Sequence, residues 1–195
     1  MKNAKIKRMV GIAFLMAMVI VLQFIGSSIP PIGGMVSISL VLIPIVMGGA
    51  VFGVGGGVIL GATFGVVVLI NCITGADAGG AMVFQANPAM CAVVVMSKGI
   101  LAGLLSACIY KLLQGKNRYV AMLCAAVICP VVNTGVFVAC MMVFFRDVLA
   151  AWAGGSNVVS YVLTALVLCN FVPELLINVI FSPAGQRIIH SLKIK

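Results

Sequence analysis

Residues 39–65 read SLVLIPIVMGGAVFGVGGGVILGATFG and contain no charged side chain. Within them, the glycine-rich segment GVGGG at 53–57 separates two apolar runs. Each run is shorter than the roughly 20 residues of an ordinary membrane span, but it suits a short helix buried among neighbours. The stretch therefore predicts two short membrane helices, 37–52 and 58–73, joined at the glycines.

The composition extends this prediction to the whole chain. Of 195 residues, 64% are hydrophobic and 8% are charged, and the mean hydropathy is +1.31. Soluble domains carry about 25% charged residues, so the chain belongs to the membrane class. Because spans and short loops fill nearly all of it, we expect one integral-membrane domain over 1–195.

Six transmembrane helices account for the apolar segments. Two outer loops contain turn-forming or polar residues, and a third contains Trp152, which we expect to anchor at the membrane interface. Ser182-Pro183 is expected to end the last helix. The predicted helices are 9–26, 37–52, 58–73, 88–113, 119–145 and 158–181, and the outer loops are 27–36, 74–87 and 146–157.

The basic residues set the orientation of these helices. Ten of the twelve fall in three clusters: Lys2, Lys5, Lys7 and Arg8; Lys111, Lys116 and Arg118; Arg187, Lys193 and Lys195. Lys and Arg mark cytoplasmic loops, and six helices bring all three clusters to one side. Both termini are therefore predicted to be cytoplasmic, and the net charge of +9 indicates topology rather than nucleic-acid binding.

Motifs for catalysis, metals and cofactors are absent from the sequence. The seven cysteines include no C-x-x-C pair, and His190 is the single histidine. No Walker A sequence, H-E-x-x-H or G-x-S-x-G occurs. We therefore expect neither an enzyme nor a bound cofactor or metal.

Lys98 is the cation that the topology does not explain. It lies ten residues into the fourth helix, which corresponds to a depth of about 15 Å at ~1.5 Å per residue. A charge at such depth costs at least ~2.5 kcal/mol, so Lys98 should face a wet cavity or a partner. Three interpretations remain open: a ligand contact, a structural ion pair with Glu174, or a side chain that snorkels toward the membrane surface.

Other polar residues could share a site with Lys98. Asn133 and Asn170 are predicted at a similar depth on the fifth and sixth helices, where asparagines also serve as interhelical hydrogen bonds. Gln85, Asn87 and Arg146 are predicted in outer loops above them, although Asn87 could instead cap the helix that begins at Pro88. These residues and Lys98 are the candidate binding residues.

Small residues recur at helical spacing along two segments. Gly49, Gly53, Gly57, Gly61 and Gly65 are four residues apart, as are Gly99 and Gly103, a spacing that lets helices pack closely in lipid. Ala13 and Ala17 form a weaker instance on the first helix.

These features resemble the substrate-binding S component of energy-coupling factor (ECF) vitamin transporters. The likeness rests on the first-helix A-x-x-x-A, on residues 39–65, and on NPAMCAVVVMSKGILAGLLSACIYKLL (87–113) and CPVVNTGVF (129–137). The resemblance implies a binding protein that captures a vitamin or precursor from outside, while a coupling membrane protein and two ATPase subunits drive release. It also implies that Ala13 and Ala17 contact the coupling protein.

The charged residues indicate the kind of ligand, and the lack of an internal repeat indicates the mode of transport. Lys98, with Arg146 near the entrance, favours an anionic ligand, and pantothenate is the best candidate. The alternatives are a self-contained secondary carrier or channel and a purely structural membrane subunit. A carrier is disfavoured because the chain shows no internal repeat.

Overall fold

The structure, a computed structural model, describes the backbone of residues 2–28 and 39–191 and the side chains of 5–27 and 39–187. Most of the first predicted outer loop, together with Lys193 and Lys195, lies outside the described residues. Every regular element in the described part is helical. The elements are α1 Lys2–Ser28, α2 Leu42–Thr74, α3 Ala78–Ala86, α4 Pro88–Leu113, α5 Arg118–Phe144, α6 Arg146–Ala153, α7 Val158–Tyr161, a π-helix Val162–Phe171 and α8 Val172–Ser191.

Five helical stretches in the described residues are long and apolar enough to cross a membrane. The second of them, α2, contains Gly53 in an extended conformation of positive φ, with φ 74° and ψ −169°, which only glycine adopts readily. The chain reverses direction at this residue. Gly48, which precedes Gly53 in the sequence, packs against Leu60, which follows it. We call residues 42–52 the first limb of α2 and residues 54–74 its second limb.

The two limbs run in opposite directions along α4. On the first limb, Ile45 packs near Gly103 of α4, and Gly49 packs near Ala107, so the numbers rise together and this limb is parallel to α4. The second limb contacts α4 in the reverse order, as described below. The all-α membrane class is confirmed, and the break at the glycines gives six alternating segments, of which the first limb is short.

The described members of the three basic clusters lie at one end of these segments. Arg8 donates a hydrogen bond to the Phe52 carbonyl oxygen at 3.0 Å, beside the turn of α2. Gly49 packs on Ala107, which places this turn level with Lys111. Tyr110 in turn donates to Gln186, the neighbour of Arg187, at 3.2 Å. This arrangement is the one that the positive-inside rule requires.

The last helix continues where the sequence predicted that it would end. α8 runs through Pro183 to Ser191, so the prediction that Ser182-Pro183 ends the helix is wrong. Proline lacks the N–H that would bond to the carbonyl four residues earlier, that of Val179. Ser182 Oγ donates to this carbonyl at 2.9 Å and replaces the missing bond, which explains how the helix tolerates the proline.

Two of the predicted outer loops are partly helical. The loop at 74–87 contains α3, and the loop at 146–157 contains α6. α6 turns Leu149, Trp152 and Ala153 inward. Trp152 is only 7% exposed, so the prediction of an interfacial anchor is wrong. The apolar face of α6 packs on the helices beneath it because this contact buries the large indole ring.

Candidate ligand-binding site

Close packing between the second limb of α2 and α4 fixes the level of the site. A Cβ added to Gly61 would collide with the Gly99 carbonyl oxygen, and one added to Gly57 would collide with that of Gly103. Only residues without side chains allow this approach, so the glycine spacing seen in the sequence serves packing within the chain. Lys98, next to Gly99, is thereby held in a defined position.

Lys98 lies in the interior and is flanked by two aromatic rings. The residue is 7% exposed. Its Nζ is 4.8 Å from the centre of the Phe137 ring and 5.5 Å from that of the Phe64 ring. Both distances fall within the roughly 6 Å range of cation–π attraction, which offsets part of the desolvation of the ammonium group.

A small cavity lies on the outer side of Lys98. Its volume is about 20 Å³, enough for one water molecule. α3 and α6 contribute residues to its walls, together with α2, α4 and α5. The lining residues are Val68, Cys72, Asp77, Gly80, Val83, Cys91, Val94, Val95, Lys98, Phe137 and Trp152.

Trp152 supplies an unused hydrogen-bond donor in this wall. Its Nε1 is buried and has no hydrogen-bond partner among the described residues. Buried polar groups normally find a partner, and a buried donor without one is costly. A ligand acceptor in an enlarged cavity is a partner that would satisfy it.

Two of the three acidic residues of the chain act on Lys98. Asp77 lines the cavity, and Glu174 is buried to 1% exposure. Both interact electrostatically with Lys98, yet neither forms an ion pair with it within 4.0 Å in the described part of the chain. Burial raises the pKa of the Asp77 carboxyl, and the Lys98 charge opposes the rise.

Glu174 is a buried residue that forms a hydrogen bond with the segment just before α2. Its Oε1 accepts a hydrogen bond from the Ser39 backbone N–H at 2.7 Å, and its Oε2 has no hydrogen-bond partner within the part of the chain that the structure describes. The Asn133 side chain lies within interaction range of the same carboxylate. Lys98, Asn133 and Ser39 therefore all interact with Glu174, and we call these four residues the buried polar layer.

The predicted binding residues differ in whether they line the cavity. Lys98 lines it. Asn133 and Asn170 are buried at 3% and 7% exposure, each with an Oδ1 that has no described partner, but neither lines the cavity. Asn170 belongs to the π-helix, which the sequence did not predict.

The three predicted loop residues are exposed and lie outside the cavity lining. Asn87 Oδ1 caps α4 by accepting from the Met90 N–H at 3.1 Å, as the alternative interpretation of that residue proposed. Arg146 Nε donates to the Met142 carbonyl oxygen at 2.8 Å. Gln85 lies near the end of α3.

Sequence reasoning missed several residues of the cavity, including Phe137, Cys72 and Cys91. Trp152 carried a usable signal, because the segment RDVLAAWA at 146–153 has its apolar residues at helical spacing. The other cavity residues resemble ordinary core residues, and nothing in their sequence spacing distinguishes them from the rest of the core.

α1 offers a different kind of surface. Its Leu15 and Val19 pack inward, whereas Ala13 and Ala17 are exposed, together with large neighbours such as Phe14 and Met18. The two alanines leave a shallow strip between bulkier side chains. In a membrane, such a strip permits close approach of another helix.

Comparison with known families identifies the class of protein to which the chain belongs. The family model for the ECF transporter substrate-specific component matches residues 7–184, which is nearly the whole chain. No curated protein matches it. The chain belongs to the ECF transporter substrate-specific component family. It is thus a multi-pass cell-membrane protein that takes part in substrate uptake with an ECF module of a coupling membrane protein and ATPases.

Proposed function

We propose that the chain captures a small, water-soluble, anionic vitamin or vitamin precursor at Lys98 and carries it for an ECF transporter. The observation that supports this proposal is the position of Lys98, a buried cation that lines a cavity and has no carboxylate within 4.0 Å among the described residues. A ligand carboxylate would offset the desolvation of the ammonium group, and the ammonium group would do the same for the ligand.

The other groups at the cavity favour a ligand with several hydrogen-bonding groups. Trp152 Nε1 can donate to a hydroxyl or carbonyl oxygen, and Phe137 offers an apolar face. Pantothenate has one carboxylate, one amide and two hydroxyl groups on a short chain, which suits this set. We propose it as the first ligand to test.

A vitamin is far larger than a cavity of about 20 Å³, so capture must enlarge the space. We propose that α3 and α6 move outward, because they wall the cavity and are short segments between long helices. Asn133 and Asn170 then become additional ligand contacts from below and from the side. Gln85, Asn87 and Arg146 are proposed to contact the ligand at the entrance.

We also propose that Ala13 and Ala17 contact the coupling membrane protein. Their support is the exposed, shallow strip on α1. The proposal assigns no enzymatic step to this chain: it binds, and ATP hydrolysis belongs to the partner subunits.

Ligand identification tests the proposed function. The purified chain should release a bound small anion on denaturation, which mass spectrometry can identify, and Lys98→Met should release much less of it. Proteoliposomes with this chain alone should bind the compound without concentrating it, and accumulation should appear only with the ATPase module and ATP. Accumulation by the chain alone would overturn the proposal in favour of a self-contained carrier.

A further inference from the structure

Asp77 occupies an unusual position in the wall of the cavity. It directly precedes α3, so it belongs to the segment that must move for a ligand to enter. It lines the same cavity as Lys98, and the two opposite charges attract each other. In the described residues it is the acidic group among the cavity-lining side chains.

Local packing brings Asp77 inward. A Cβ added to Gly80 would lie 2.9 Å from Asp77 Oδ2 and 2.5 Å from Cys72 Sγ. Any larger residue at position 80 would therefore compete with the carboxylate and the thiol for space. The missing side chain at Gly80 lets the carboxylate stay against the cavity.

The Asp77 carboxylate is not committed to the start of α3. Asp77 occupies the N-cap position, where an aspartate commonly accepts a hydrogen bond from the first turn. Here the side chain makes no such hydrogen bond, although the nearby N–H groups of Gly79 and Gly80 favour its charge. Departure of the carboxylate from the cavity therefore breaks no geometric cap hydrogen bond, although it gives up the favourable interaction with these two N–H groups.

We propose that Asp77 is an internal anion that competes with the ligand for Lys98 and so determines the charge specificity of the site. This inference rests on the proposed function, in that the cavity is the ligand site. In the ligand-free protein, Asp77 neutralises part of the Lys98 charge and holds the segment before α3 against the cavity. An anionic ligand replaces it, whereas a cationic ligand leaves it in place and meets Lys98 as a repulsive charge.

A labelling experiment that needs no identified ligand tests this inference. The probe is a chain that keeps Cys91 alone, a buried cavity-lining thiol, with the other six cysteines replaced by alanine. Two methanethiosulfonate reagents of similar size, one bearing a sulfonate and one a trimethylammonium group, report access to the cavity. The measured quantity is the ratio of their labelling rates, anionic over cationic.

Asp77→Asn should raise this ratio by about threefold or more, which corresponds to ~0.7 kcal/mol. Asp77→Glu, which keeps the charge, should leave the ratio near that of the parent chain. Asp147→Asn is the matched control, because Asp147 is an exposed acidic residue in α6 and outside the cavity lining. An unchanged or lower ratio in the Asp77→Asn variant would overturn the inference.

Binding of pantothenate separates this inference from the proposed function. If both hold, Asp77→Asn binds pantothenate more tightly than the parent chain. Should the parent chain not bind pantothenate while the labelling ratio still rises, the choice of ligand fails and the internal anion stands. Weaker binding in Asp77→Asn would mean that the carboxylate contacts the ligand, and the inference would fall while the binding function stands.

Discussion

At the scale of single residues, Lys98 links two environments. It lines the cavity, and it also interacts electrostatically with the carboxylate of Glu174 in the buried polar layer. The sequence left a ligand contact and a structural pair with Glu174 as alternatives. In the described residues Lys98 and Glu174 form no ion pair within 4.0 Å, so Glu174 acts on Lys98 electrostatically without direct contact, while Lys98 lines the cavity.

Replacing Glu174 tests its part in the buried polar layer. Glu174→Leu leaves the part-buried Ser39 N–H without its acceptor, and this loss costs up to the ~1–3 kcal/mol of a fully buried unsatisfied donor. It also removes a counter-charge of Lys98. We expect a lower midpoint in thermal melts of the purified protein.

The double variant Glu174→Leu with Lys98→Met separates these two causes. If the charges stabilise each other, the double variant loses less stability than the sum of the single variants. Strictly additive losses would mean that Glu174 acts only through Ser39.

At the scale of elements, the sequence predicted the long helices, apart from the continuation of α8 past Pro183, and did not predict the short ones. Pro88 predicts the start of α4, and the basic turn predicts the start of α5. The glycines of α2 predict the break within it. α3 and α6 were missed because each is about two turns long and lies between turn signals. The π-helix has no sequence signal, since its residues are apolar like those of any buried helix.

The site was predicted less completely than the fold for a related reason. A buried cation such as Lys98 stands out in an apolar sequence because its cost demands an explanation. Apolar cavity residues, such as Phe137, carry no comparable signal. Which loop residues reach the cavity depends on how α3 and α6 pack, and neither helix was predicted, although the apolar spacing at 146–153 was a usable signal for α6.

A glycine substitution tests the packing of α2 on α4. Gly61→Ala introduces a Cβ that collides with the Gly99 carbonyl oxygen, so the two helices must separate. We expect a loss of about 1–3 kcal/mol, in the range of overpacked cores, seen as a lower thermal midpoint.

Gly135→Ala is its matched control, because position 135 lies within α5 and a Cβ there meets nothing within 4 Å. Alanine is the better helix former by about 1 kcal/mol, so this variant should be as stable as the parent or more so. Equal effects at positions 61 and 135 would contradict the close approach.

The proline in α8 permits a second test at this scale. Ser182→Ala removes the hydrogen bond to the Val179 carbonyl, at a cost of about 0.5–1.5 kcal/mol. In a Pro183→Ala background the backbone N–H at 183 can serve this carbonyl, and the cost should shrink. Thermal melts of the four proteins would measure the difference, and an equal cost in both backgrounds would argue against the compensation.

At the scale of the whole molecule, the surfaces that we propose for binding and for coupling are separate. The cavity lies among α2 to α6, whereas Ala13 and Ala17 lie on the exposed side of α1. Ala13→Leu or Ala17→Leu should therefore spoil ATP-driven uptake by the assembled transporter and leave ligand binding to the isolated chain unchanged. Ala13→Ser, which stays small, is the control. A parallel loss of binding would contradict the separation.

Fluorescence of Trp152 provides the most direct test of the central claim, that Lys98 binds a ligand anion in this cavity. Trp152 is the single tryptophan of the chain and lines the cavity, so its emission reports on the site itself. Titration of the purified chain with pantothenate, without ATP, should give a saturable change. Lys98→Met should weaken binding by roughly thirtyfold, or about 2 kcal/mol, because the ligand anion would be buried unpaired. Saturable binding with the same affinity in both proteins would contradict the claim.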